Sequence, residues 1–515
     1  MSTPTSAPAT STLTAPAPRH REVPGTVDVI VVGGGSSGAA LAARLAAPGD
    51  VEVALVEAGP ADTEERVLDV RRWWDLLGSD LDFDYGIEPQ ARGNGAIRHS
   101  RARVLGGCSS HNSCIAFPTP DRDLERWVGL GADGWDPESM RGAIDRVLDT
   151  VHLQLAAPDN PFVDAVLEAC AAAGLPTQDF ASWDLIPGAG RFRLNIDGNA
   201  RQSSSVAYLH PLDELPDNLH LLTDTPVSRV LVEHGRAVGI ATSRGEVRAS
   251  RSVVLCAGAF DTPRLLMLSG IGPAQHLRSV GVDALVDLPG VGAHLLDHPE
   301  GVVNYASSKR IDPTAQSWDV GVFADTSGAG HPDLMLHVGS EVFDLHTSGH
   351  GYPSAEHGLA FTPNVAHARS EGTVRLRSAD PGVKPSIDFA YFTDPDGYDE
   401  RVMVDGVELA REIAAQAPLA DWVDRELSPG ADVTARAQLS EYVRRTANTV
   451  YHPAGTCRMG AVDDPRTVVD PQLQVLGIEG LRVADASIFP TMTTVNPNLT
   501  CMAIGERAAE LLRAR

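Results

Sequence analysis

The chain has 515 residues, with 42 Lys and Arg against 68 Asp and Glu, for a formal net charge of −26 at pH 7. That length means roughly two to four domain units, or one large fold with an inserted lobe, and 43% hydrophobic residues excludes a disordered chain. So acidic a protein repels nucleic acid and anionic lipid and weakly attracts small cations, and no apolar run is long enough to span a bilayer, so neither nucleic acid nor membrane is an expected partner.

In chain order, residues 1–25 are dominated by Pro, Thr, Ser and Ala and predict a disordered leader, without the apolar core of a secretory signal. Val27–Val32 is a β-branched run predicting a buried parallel strand. Gly33, Gly35 and Gly38 follow in the pattern G-x-G-x-x-G; a helix is predicted from Ala39 to Ala47 and a second strand from Val51 to Val56. Glu57 then stands 19 residues after Gly38, the distance at which an acid reaches a ribose hydroxyl. Glycines alone are a weak signal. Strand, glycines, helix, strand and acid in register predict a dinucleotide site with its pyrophosphate on a helix N-terminus.

Asp136 and Pro137 predict the cap and first turn of a helix running to about Leu153, and Pro161–Ala173 a second helix stopped by Gly174 and Pro176. A strand over Ser252–Cys256 runs into another glycine turn. Gly358–Val365, Gly372–Ser378 and Pro385–Phe392 suggest antiparallel strands, Asp399–Ala417 a helix, Gly480–Asp485 a late strand, and Asn498–Arg513 the closing helix. Nucleotide-type units therefore stand at the start, middle and end. The predicted class is α/β: a discontinuous Rossmann-like domain over residues 26–155, 200–300 and 450–515, interrupted by an antiparallel-sheet substrate domain over 156–199 and 301–449. The six cysteines (Cys108, Cys114, Cys170, Cys256, Cys457, Cys501) show neither a CxxC pair nor a metal-like spacing, which predicts reduced thiols in a cytoplasmic protein and no metal.

Three longer stretches carry a family resemblance. Arg103–Asn112 (RVLGGCSSHN) resembles the first signature of the glucose–methanol–choline (GMC) oxidoreductases, and Gly258–Pro273 (GAFDTPRLLMLSGIGP) the second. Arg482–Ser487 and Val495–Asn498 are similar to the family's closing region, so the resemblance runs from about residue 26 to the end. Most members have an aliphatic residue where His111 stands. Gly106–Phe117, Asp297–Val303, Asn448–Pro453 and Thr362–Ser370 resemble the choline-oxidising branch.

The resemblance implies FAD as cofactor, held at Gly33, Gly35, Gly38, Glu57, Gly107, Asn112, Val227, Asp485 and Pro497 and covalently bonded through His111. It implies hydroxyl-proton chemistry at His452 and Asn496, with His337 as a second active-site histidine; which imidazole is the base stays open. His452 is the expected stabiliser of the developing alkoxide. It further implies a quaternary ammonium held by Trp73, Trp318 and Phe343 with Glu300 as counter-charge, and Ser113 and Val450 beside the flavin, Val450 flanking the site of dioxygen reaction. Choline or a related amino alcohol, dioxygen as acceptor and a homodimer are the partners it implies. Ser317, Asp319, Val338 and Pro118 depart from the branch's pattern next to box residues and predict a reshaped pocket. Two other readings stay open: an alcohol oxidase or dehydrogenase with a different alcohol, and a flavin-containing lyase of the same fold.

Overall fold

A computed structural model describes residues 25–210 and 216–514; the predicted leader lies outside the described residues but for Gly25. The β-branched run forms a strand over Thr26–Val32, buried from Val29 onward because it sits in the middle of a seven-stranded sheet. Val53–Val56 and then Leu219–Leu222 lie parallel on one side of it, and Gly245–Leu255 on the other. The last of these is longer than the five residues expected from the apolar run, and its two halves differ. Gly245–Arg248 pairs antiparallel with Arg236–Thr242, while Val253–Leu255 pairs parallel with Leu481–Val483.

Ser36–Ala46, the first helix, begins three residues earlier than its apolar pattern suggests and packs against the closing helix, Asn498–Arg513. A Cβ on Gly505 would stand 2.3 Å from the carbonyl of Ser37, so only glycine allows the two helices this close. Glu506, fully buried on the closing helix, is paired with Arg44 at 2.8 Å and Arg146 at 2.9 Å and accepts from the Tyr208 hydroxyl, which offsets the cost of its burial. Helices Pro137–Thr150 and Pro161–Ala172 start on their proline as expected; the Asp136 side chain accepts from Ser139 N, and that of Asn160 from Phe162 N.

An eight-stranded antiparallel sheet is built from Gly188–Arg191, Pro299–Glu300, Val303–Ser307, Trp318–Ala324, Leu334–Gly339, Gly358–Val365, Val423–Ser428 and Asn448–Thr449. Several of these strands give no alternating pattern. Leu334–Gly339 and Gly358–Val365 are buried at every position, so neither face is marked by polarity. The segments 372–378 and 385–392 form only a short ribbon, Thr373–Arg375 against Ser386–Asp388, separate from this sheet. Two glycines on the sheet make room for aromatic rings: a Cβ on Gly339 would meet the Trp318 ring at 2.9 Å, and one on Gly321 the Phe192 ring at 2.3 Å. No helix among the described residues is long and apolar enough to cross a membrane.

Candidate active site

Two adjoining cavities lie between the sheets, sharing Ser36, Arg101, Cys108, Pro453, Ala486 and Cys501 in their walls. The larger, of about 370 Å³, is lined by Gly33, Gly35, Glu57, Gly107, Val227, Gly258 and Asp485. Gly33 turns with φ +101°, and a Cβ on Gly38 would meet the Gly33 carbonyl at 1.9 Å; Gly38 therefore lies under the turn rather than facing the cavity. The first helix has no side-chain cap and no acid in its first turn, leaving its N–H groups and positive dipole end turned to the cavity. Glu57 accepts hydrogen bonds from Gly34 N at 2.9 Å and Gly59 N at 2.7 Å, and burial pushes its carboxyl up to about 7. Asp485 accepts from Gly258 N and from the Thr262 hydroxyl. An uncapped helix end for a pyrophosphate and an acid beside it fit a dinucleotide such as FAD.

The second cavity, of about 190 Å³, is lined by Trp73, Ser113, Glu300, Trp318, His337, Phe343, Val450, His452 and Asn496, and by His111, Asn112 and Pro497. Trp318 meets Phe343 edge to face with centroids 5.2 Å apart. Trp73 reaches them through Trp74, which stacks on it at 3.9 Å, lies 5.7 Å from Phe343, and is held by an indole hydrogen bond to Glu341. The Glu300 backbone is fixed between Asn364 and Asn448, and its buried carboxyl is pushed well above its ordinary range, with the Thr362 hydroxyl pulling the other way. A buried carboxylate beside aromatic faces suits a small cation that has no hydrogen to donate.

The imidazoles differ in proton placement. His298 Nε2 lies 2.9 Å from the Thr493 carbonyl and 3.0 Å from that of Ala366; both only accept, so Nε2 carries the proton. Neutral His298 therefore has a lone pair on Nδ1, which faces His452 Nδ1 at 2.9 Å, so His452 donates from Nδ1. His452 Nε2, 3.4 Å from the Asn496 amide nitrogen, is left as a lone pair in the cavity. His337 is arranged the other way: Asn364 Nδ2 donates to its Nδ1 at 3.4 Å, leaving the proton on Nε2, which is buried without a partner. Burial holds His298 and His337 neutral, each lowered to about 4, and holds His452 well below its usual range, with His298 as the next contributor.

The backbone of His452 is fixed too: its N–H donates to Asp297 Oδ1 at 3.0 Å, and the other oxygen of Asp297 takes the hydroxyls of Tyr391 and Thr449, each at 2.5 Å. His111 stands where the short helical turn Gly107–Ser110 ends; its Nδ1 bonds the Ser100 hydroxyl at 3.1 Å, while Nε2 is buried and unpartnered. Burial lowers this imidazole to about 4, so it is neutral at ordinary pH.

All the residues singled out from sequence as catalytic or substrate-binding line this one cavity. Sequence reasoning missed His298, Asp297, Trp74, Arg101 and Tyr451. Asp297 and His298 lie within the Asp297–Val303 stretch singled out above, and that was the signal available for them. Among the described residues no group of three or more His, Cys, Asp or Glu is placed to hold a metal.

The amino- and carboxy-terminal models of the GMC oxidoreductase family match residues 27–300 and 368–505. The choline oxidase of Arthrobacter globiformis is 50% identical over 95% of this chain and 94% of its own. An oxygen-dependent choline dehydrogenase of Rhizobium johnstonii is 33% identical over 94% of this chain and 95% of its own. Among solved structures, the pyridoxine 4-oxidase of Mesorbium loti superposes with a TM-score of 0.89 at 30% identity, covering 95% of this chain and 99% of its own.

Proposed function

Because this chain belongs to the GMC oxidoreductase family, we propose that it oxidises the alcohol of choline with FAD as cofactor and dioxygen as acceptor. In balance, choline and O2 give betaine aldehyde and H2O2; the hydrated aldehyde and a second O2 give glycine betaine and H2O2. The observation that carries this reading is the placement of Glu300, Trp318 and Phe343 in one cavity with the unprotonated Nε2 of His452.

The aromatic faces and Glu300 hold the trimethylammonium group, a site whose charge and rings together contribute on the order of a few kcal/mol. His452 Nε2 takes the hydroxyl proton, and the Nε2–H of His337 and the side chain of Asn496 orient the oxygen. FAD, when bound, supplies the acceptor for the carbon-bound hydrogen. Hydride loss becomes favourable only as the oxygen gains negative charge, which proton transfer to His452 Nε2 supplies. His111 Nε2 is the atom we assign to a covalent bond with the flavin, since it is neutral, buried and otherwise unpartnered. Six unpaired thiols support a cytoplasmic setting. We also propose a homodimer, which sedimentation tests.

Anaerobic mixing with choline tests the whole reading. Bleaching of the flavin, with colour and peroxide returning in air, is expected. Bleaching by neutral alcohols but not by choline favours a different alcohol substrate, and a flavin that no alcohol bleaches favours the lyase reading.

A further inference from the structure

His346 is fully buried behind the cation site yet has no role in the chemistry above. It follows Phe343 in a loop that Asn304 clamps from the neighbouring strand, its amide bonding both N and O of Phe343 at 2.9 Å. The imidazole meets the Phe343 ring with centroids 4.8 Å apart. Its Nε2 lies 3.3 Å from Glu300 Oε2, and neither ring nitrogen has a partner of hydrogen-bond geometry. Glu300 is the one acidic side chain with an oxygen within 4.0 Å of its ring nitrogens among the described residues. On its other side Glu300 faces His337, whose Nδ1 is 3.9 Å from Oε1, with Thr362, Asp297, Tyr391 and Tyr451 also acting on it or feeling its charge.

We propose that His346 is a positioning residue for cation recognition: its neutral Nε2–H, 3.3 Å from Oε2 and without another acceptor, closes to a hydrogen bond when Glu300 is ionised opposite the ammonium group and keeps the carboxylate aimed there. The proposal rests on the choline reading of the site. A neutral donor suits this place better than Lys or Arg. It stabilises the carboxylate without cancelling the charge that the substrate is to meet. Burial lowers His346 to about 3, so it stays neutral across the working range and does not compete with the substrate as a cation. The carboxylate is opposed by its own burial and by Asp297, so an N–H with one available acceptor acts where ionisation needs support.

The test compares kcat/KM for choline with that for its tert-butyl isostere, in which carbon replaces the quaternary nitrogen. In the flavin-loaded wild type the ratio should stay flat between about pH 6 and pH 9, because the proposal has the His346 N–H and the bound cation offset the burial that raises the Glu300 carboxyl. A ratio that climbs with pH in the wild type overturns the proposal without recourse to any variant. In His346→Leu the ratio should fall about tenfold near neutrality, the loss of one charge-assisted hydrogen bond, through KM for choline rather than kcat. It should then rise with pH as Glu300 ionises later. His346→Gln, which keeps an N–H donor, should restore most of the ratio; equal failure of Leu and Gln means that packing alone is at stake and overturns the proposal. A wild type that oxidises the isostere but not choline sinks the choline reading instead and takes the inference with it.

Discussion

The Nδ1 atoms of His298 and His452 face each other across 2.9 Å, and the two carbonyls on the far side of His298 decide which ring donates. The consequence reaches the cavity: the His452 nitrogen turned toward a substrate is the one without a proton. Removing either ring should therefore damage turnover differently. His452→Ala is expected to lower kcat by about 10² to 10⁴, the span typical of a lost general base, with flavin retained. His298→Phe keeps the base but frees its tautomer, and should lower kcat by a smaller factor. An His452→Ala protein of nearly native kcat would remove His452 from the chemistry.

Glu300→Gln tests the counter-charge. The side chain stays close in shape while its charge is lost, so kcat/KM for choline should drop on the order of 10²-fold. The tert-butyl isostere should hardly notice. Equal losses for the two substrates would mean that Glu300 shapes the cavity rather than attracting a cation.

For His111 the measurement is physical rather than kinetic. Acid precipitation of the wild type should bring the yellow colour down with the protein, while His111→Asn should release the flavin into the supernatant. Colour in the supernatant from the wild type would show that the unpartnered Nε2 is not a site of attachment.

A further prediction concerns the loop that carries Asn496. Asp123, fully buried, accepts from Thr494 N at 2.7 Å and from the Thr494 hydroxyl at 2.8 Å, so it anchors the turn whose Thr493 carbonyl also orients His298. Burial raises its carboxyl to about 6, with the Thr494 bonds pulling the other way. An acid whose folded pKa lies above its unfolded value, about 3.9, binds its proton more tightly when folded. Its contribution to stability is therefore lost as pH rises through the window from about 4 to about 6. Relative to Asp123→Asn, the wild type should gain about 1 kcal/mol on going from pH 7.5 to roughly pH 5. Thermal unfolding at the two pH values reads this difference directly; a stability gap that does not change between them would contradict the burial argument.

Much of the nucleotide site was legible in the chain because its causes are local. Gly33, Gly35 and Gly38 answer to a turn, a close approach and a helix start within six residues, and Val29–Val32 is buried as its composition demands. The aromatic and polar residues of the second cavity were legible only through longer stretches of resemblance, since Trp73, Glu300, Trp318 and His452 are scattered along the chain and share no period. Which nitrogen of each histidine carries its proton was not legible at all. His452 and His337 are the same residue type and similarly buried. Yet one presents a lone pair and the other an N–H, because His298 and Asn364, supplied by distant segments, bond the opposite nitrogen of each. His298 in turn takes its tautomer from carbonyls 68 and 195 residues away. The sequence determined which groups are present and which backbone turns they need. Only the tertiary structure decided where their protons sit, since a buried hydrogen bond depends on what long-range packing sets opposite each nitrogen.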